Sequence, residues 1–130
     1  MPPTSIHHVE LWLPDLTEQL PCWDWLFGAL DWKPYQHWEG GRSWRADDGS
    51  YVVIEQSPEL EDVPFHRTRA GINHLALTAP RRTVDRIVAA GPEHGWTLLF
   101  ADRHPHAGGP DHYAGYLENT QGFEIELVAN

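Results

Sequence analysis

Two short segments alternate apolar and polar side chains around a histidine: Ile6-His7-His8-Val9-Glu10-Leu11 and Gly71-Ile72-Asn73-His74-Leu75-Ala76-Leu77. Both read Ile-x-His-(Val/Leu)-x-Leu, and in an extended strand successive side chains point to opposite faces. Ile72, His74 and Ala76 then share one face, opposite Leu75 and Leu77. The same parity groups His8 with Glu10 and Trp12, opposite Val9, Leu11 and Leu13. Each strand is expected to bury aliphatic groups on one side and to present an imidazole on the other.

Pro14-Asp15 ends the first extended run, with Asp15 as a helix N-cap and Glu18 in the capping-box position. Leu16, Leu20, Trp23, Leu26, Phe27 and Leu30 recur at three- and four-residue spacing, which predicts a helix with one apolar stripe. Pro21 predicts a kink or a late start. From Trp32 onward short strands are punctuated by Gly40-Gly41 and Asp48-Gly49, both expected as two-residue turns. That register sets Arg42 against Glu55 and Trp44 against Val53. It places Tyr35, His37, Trp44, Val53 and Glu55 on one face, with Val52 and Ile54 on the other.

Residues 58–70 are polar, proline-bearing and aperiodic, and read as a linker. The order then recurs. The His74 strand is followed by a helix capped by Thr83, carrying Val84, Ile87, Val88 and Ala89 and closed by Gly91-Pro92. Trp96 to Phe100 is the next strand, Asp102 to Asp111 a loop, and His112 to Glu118 with Phe123 to Val128 a strand pair. Strand, helix and three strands thus occur twice, as modules of residues 5–57 and 71–129 in a single domain.

A chain of 130 residues with 41% hydrophobic content suits one packed core. The net charge of −10, with no basic stripe, argues against nucleic acid. No segment approaches a membrane span and the N-terminus has no apolar run, so the expectation is a soluble, cytoplasmic protein without a membrane partner. The lone Cys22 excludes an intrachain disulfide and suits a small packed position. Of the seven tryptophans, some are expected to line a cavity or an interface.

The two modules also match at their ends, where Ile54-Glu55-Gln56 parallels Ile125-Glu126-Leu127. Two imidazoles, His8 and His74, and two carboxylates, Glu55 and Glu126, would neutralise one divalent ion, and this N/O set suits Zn, Ni, Co, Mn or Fe(II) better than Ca. Two adjacent positions would remain for a small substrate with neighbouring oxygens. The ion would acidify a C–H beside the bound carbonyl and hold the enediolate while a loosened glutamate, Glu55 or Glu126, moved the proton. Taken singly, each histidine also suits a packed structural role, and Glu55 also suits a cross-strand ion pair with Arg42. Trp12, Tyr35, His37 and Trp44 read either as substrate-stacking walls or as core and interface packing. The loop over residues 102–111 reads either as solvated or as a lid, with His112 and Tyr113 placed to touch substrate. Glu10 and Glu124 share the histidine parity, as supporting carboxylates or as ligands in a shifted register.

On these residues the chain resembles the vicinal oxygen chelate superfamily, which includes glyoxalase I, extradiol dioxygenases, methylmalonyl-CoA epimerase, and fosfomycin- and bleomycin-resistance proteins. The resemblance runs from Ile6 to Val128 and is most specific at Gly122-Phe123-Glu124-Ile125-Glu126-Leu127-Val128. It implies an α+β fold of two βαβββ modules curling a mixed sheet around a central cavity, helices outside. It also implies homodimers, and metal positions at His8, Glu55, His74 and Glu126. The implied activity is that of a glyoxalase-I-like, metal-dependent isomerase or lyase. Two alternatives stand beside it: a resistance protein that binds an antibiotic or aromatic natural product, and an extradiol-type dioxygenase, whose relatives use two histidines and one carboxylate.

Overall fold

The computed structural model describes residues 3–129. They form two compact units that divide between Pro64 and Phe65. In the first unit, β1 (His8–Trp12), α1 (Leu16–Ala29), β2 (Lys33–Trp38), β3 (Gly41–Arg45) and β4 (Tyr51–Glu55) make a four-stranded mixed sheet in the order β1-β4-β3-β2. In the second, β5 (His74–Thr78), α2 (Arg81–Ala90), a 3-10 turn (Gly91–His94), β6 (Trp96–Leu99), β7 (Tyr113–Asn119) and β8 (Glu124–Ala129) give the order β5-β8-β7-β6. The first strand of each unit runs parallel to the last, because the helix carries the chain back across the sheet. The α+β class and the repeated βαβββ order are therefore both present, as two four-stranded sheets. Among the described residues no helix is long and apolar enough to cross a membrane.

Local chemistry accounts for the helices. Asp15 Oδ1 accepts the Glu18 N–H at 3.0 Å, so α1 starts without delay and runs through Pro21. Its stripe of Leu16, Trp23, Leu26 and Phe27 is buried, and the Phe27 ring stacks on Trp44 of β3 with centroids 4.9 Å apart. Trp23 and Trp96 are fully buried core residues, and Trp44 is buried against Phe27. In the second unit α2 begins at Arg81 with Pro80 as its cap, three residues earlier than a Thr83 cap would allow. Val84 and Ile87 are its buried residues. A Cβ on Gly115 of β7 would lie 2.8 Å from Val88 Cγ2, so glycine there lets the helix approach the strand.

The turns overturn the expected register in the first unit. Asp48-Gly49 belongs to a three-residue loop: Ala46 N–H donates to Ser50 O at 2.9 Å, Gly49 takes a φ of 95°, and Asp48 Oδ1 accepts from Ser50 N at 2.9 Å and Ser50 Oγ at 2.7 Å. The additional loop residue slips β3 against β4 by one place. Arg42 pairs with Ile54 and Trp44 with Val52, in place of the expected Glu55 and Val53, and a one-residue slip moves side chains to the opposite face. The other turn centres on Glu39-Gly40, with Trp38 opposite Gly41. Gly41 is required there, since a Cβ would lie 2.2 Å from Trp38 Cζ2 and 2.8 Å from Ile54 O. A further irregularity between Pro34 and His37 carries Tyr35 away from His37 and Trp44, to the face where it meets Tyr51 and Arg45.

Candidate functional site

The first unit does not assemble the expected His8 and Glu55 pair. In the parallel ladder His8 lies opposite Tyr51 and Glu55 opposite Trp12, so the two share a parity but stand four positions apart. That spacing is about 13 Å along a strand. His8 stacks on Tyr51 at 4.7 Å, with its Nδ1 2.9 Å from that of His7. Glu55 Oε1 accepts the Trp38 indole N–H at 3.1 Å. The expected ion pair of Glu55 with Arg42 is also replaced, because the guanidinium donates to the carbonyls of Trp38 and Gly41 at 2.6 Å each. In the register of the repeat, the position that Glu126 holds beside Ala76 is held by Val53 beside Glu10.

The expected aromatic wall divides between the two faces of the first sheet. Trp44 faces α1, donating its N–H to Asp24 Oδ1 at 3.2 Å, and with Tyr35, His37, Arg42, Leu20 and Asp24 it lines a cleft of about 400 Å³. Trp12 lies on the other face, where its indole donates to Glu10 Oε2 at 2.6 Å, and Tyr35, which borders the cleft, turns its ring to that face and carries the Arg45 guanidinium 4.9 Å above it.

The second unit brings titratable groups together. His74 pairs with Glu124 and Ala76 with Glu126, while across β7 Tyr116 pairs with Glu126 and Glu118 with Glu124. His74, Glu124, Glu126, Tyr116 and Glu118 thus share one face of the sheet. His74 Nε2 stands 3.1 Å from Glu126 Oε1, and the other oxygen of this buried carboxylate meets His112 Nε2 in a short hydrogen bond. Burial first, then a hydrogen bond with Glu126, raises the Tyr116 phenol above its ordinary range. Burial likewise pushes the Glu124 carboxyl up, against the opposing effect of Arg67. Arg67 spans two strands, with Nε 3.0 Å from Glu118 Oε2 and Nη1 3.2 Å from Glu124 Oε1.

The loop before β7 closes directly on this group. A Cβ on Gly108 would come within 2.6 Å of both His112 Cδ2 and the Tyr116 hydroxyl, so only glycine permits the contact. Phe100 at the loop's start holds a φ of 55° and meets Tyr116 edge-on at 5.6 Å. Tyr113 does not join. It turns to α2, donating a short hydrogen bond to Asp85 under the Arg81 guanidinium, and that bond to Asp85 raises its phenol. Of the two residues expected to touch substrate from this strand, His112 is at the group and Tyr113 is not.

Among the described residues no group of three or more His, Cys, Asp or Glu is arranged to hold a metal ion. His74 and Glu126 nevertheless fit two ligand positions. Donors about 2.1 Å from one ion and at right angles are ~3.0 Å apart, and Nε2 and Oε1 stand at 3.1 Å. Tyr116 and Arg67 were not singled out as site residues by the sequence pattern. Tyr116 becomes visible once the β7–β8 register is known, whereas Arg67 sits in an aperiodic segment and reaches Glu118 across 51 positions of chain.

The sequence model of the Glyoxalase/Bleomycin resistance protein/Dioxygenase superfamily matches residues 7–116. An uncharacterized protein of Bacillus subtilis (strain 168), YqjT, is 37% identical over 125 residues, covering 95% of this chain and 98% of the relative. A Bacillus halodurans protein described as a candidate glyoxalase has a crystal structure that superposes with a TM-score of 0.87 at 40% identity, over 96% of this chain and 95% of that one. The fosfomycin resistance protein FosX of Listeria monocytogenes, solved with Mn(II) and sulfate, shares the fold at a TM-score of 0.64 and 14% identity, over 98% of this chain and 90% of that one.

Proposed function

The chain belongs to the glyoxalase/bleomycin resistance protein/dioxygenase superfamily, and from that premise we propose that it is a metal-dependent enzyme acting on a small substrate with adjacent oxygens. The observation that carries the proposal is one buried carboxylate, Glu126, met by His74 on one oxygen and His112 on the other, with Tyr116 alongside. His74 and Glu126 would hold a divalent ion drawn from Zn, Ni, Co, Mn or Fe(II). The Mn(II) held by the Listeria protein is consistent with that choice. His8 is proposed as a further ligand from the repeat in the sequence alone. Glu55 is not retained, because Trp38 occupies it at the far end of the β1–β4 ladder from His8.

A bound divalent ion supplies Lewis-acid polarisation of the substrate oxygens. The protein's own groups handle orientation and protons. His112 donates its Nε2–H to Glu126, which leaves Nδ1 as the ring nitrogen that accepts or returns a substrate proton. The Tyr116 hydroxyl stays protonated through the neutral range and can donate to a substrate oxygen. Gly108 brings backbone against both groups. Proton transfer next to a carbonyl, in a glyoxalase-like isomerase or lyase reaction, is the reading these groups support.

A specific observation favours a second reading. Without Glu55, the proposed ligands are two histidines and one carboxylate, the set associated with oxygen-activating iron sites. Stereospecific deuterium exchange from D2O into a hydroxyketone or hemithioacetal would support proton transfer. Oxygen uptake with a catechol and Fe(II) would support the dioxygenase, and turnover of neither class would defeat the proposal. The sequestering-protein alternative keeps a divided wall, since Tyr35, His37 and Trp44 border one cleft while Trp12 lies on the opposite face of the sheet. Homodimerisation and a cytoplasmic setting belong to the same proposal, the former checked by sedimentation.

A further inference from the structure

We propose that Asn73 is a positioning residue that fixes the ring orientation and tautomer of His74. The inference rests on reading His74 as a ligand, but its geometry is independent of any ion. Asn73 Nδ2 donates to the Arg67 carbonyl at 3.0 Å. A carbonyl accepts only from the amide's nitrogen, so this bond turns Oδ1 the other way, to 2.8 Å from His74 Nδ1. An amide oxygen is satisfied only by an N–H, which places the imidazole proton on Nδ1. Nε2 then keeps its lone pair, aimed at Glu126 Oε1. Two acceptors facing each other at 3.1 Å call for a cation between them, which is what a metal ligand pair requires.

Arg67 decides which partner His74 receives. Glu124 Oε2 is 3.9 Å from Nδ1, beyond hydrogen-bonding reach, while its Oε1 is tied to Arg67 Nη1 at 3.2 Å. His74 is thus oriented by a neutral amide instead of a carboxylate, which fixes the tautomer without adding negative charge beside Glu126. Arg67 is itself anchored to Glu118 of β7, and Phe65 stacks on Phe123 with centroids 3.9 Å apart. The segment over residues 65–73, which reads as linker and strand entry in the sequence, therefore works as a clip that delivers Asn73 to the ring.

Long-range proton–nitrogen correlation on nitrogen-15-labelled, metal-free protein at mildly alkaline pH reads the tautomer directly. Wild type is expected to show the Nδ1–H form of His74, and Asn73→Leu a shift to Nε2–H or a mixture. Calorimetric titration with Zn(II) or Mn(II) is expected to show the Kd raised about 10-fold in Asn73→Leu, at the low end for a ligand-orienting partner because Asn73 is exposed. Asn73→Asp, which keeps the acceptor, should recover most of that loss. An Nε2–H tautomer in wild type, or an Asn73→Leu protein unchanged in tautomer and Kd, overturns the inference. A wild type with the Nδ1–H form that takes up neither ion upholds the positioning role and instead overturns the metal reading.

Discussion

Replacing Glu55 separates the two roles a carboxylate at the end of β4 can play. Its Oε1 accepts the Trp38 indole N–H at 3.1 Å in a half-buried position, and it lies at the level of Trp12, four positions from that of His8. A hydrogen bond to a charged acceptor contributes roughly 1.5–3 kcal/mol and a neutral one about 0.5–1.5 kcal/mol. Partial exposure places this bond near the bottom of the charged range. Glu55→Gln, which keeps an acceptor, should cost under about 1 kcal/mol, and Glu55→Ala about 1–2 kcal/mol. In a chain of this size that is a fall in Tm of roughly 4–8 °C for the alanine variant. Neither substitution should change bound metal, because about 13 Å of strand separates Glu55 from the level of His8. Thermal melts and elemental analysis of the same preparations test both halves. Loss of metal from a Glu55→Gln protein of unchanged Tm would refute the reasoning and return Glu55 to the ligand set.

Three further outcomes follow from the packing. Phe27→Ala should destabilise by about 3–5 kcal/mol in denaturant titration, since the ring is fully buried and in contact with Trp23, Trp32 and Trp44. Asn119→Ala should cost roughly 1–3 kcal/mol, because Asn119 Oδ1 accepts the N–H groups of Gln121 and Phe123 at 3.0 Å each, whereas Asn119→Asp should be much milder in the same melts. Gly108→Ala should displace His112 and Tyr116 and weaken Zn(II) binding in calorimetry, with a smaller effect on Tm than Phe27→Ala because the loop lies outside the core.

The second unit was legible where its chemistry is local. His74 stands out by alternation, and the run from Gly122 to Val128 fixes the parity of Glu126, so the pair emerges directly from the ladder. The Asp15 cap needed only a four-residue pattern. In the first unit one residue decided the outcome. Asp-Gly suits a two-residue turn and also a three-residue loop with glycine in the left-handed position, and the second option reverses the faces of β4 relative to β3. Apparent likeness between Ile54-Glu55 and Ile125-Glu126 therefore misaligned the repeats by two positions, with Val53 the true counterpart of Glu126. Arg67 and Asn73 carried no periodic signal because their roles depend on contacts with β7 and β8, distant in the chain.

The most direct test of the central claim is the metal content of untagged protein beside His74→Ala and Glu126→Ala. The account predicts about one divalent transition ion per wild-type chain and its loss in both variants. A wild type that takes up no Zn, Ni, Co, Mn or Fe(II), or variants that keep the ion, would contradict it.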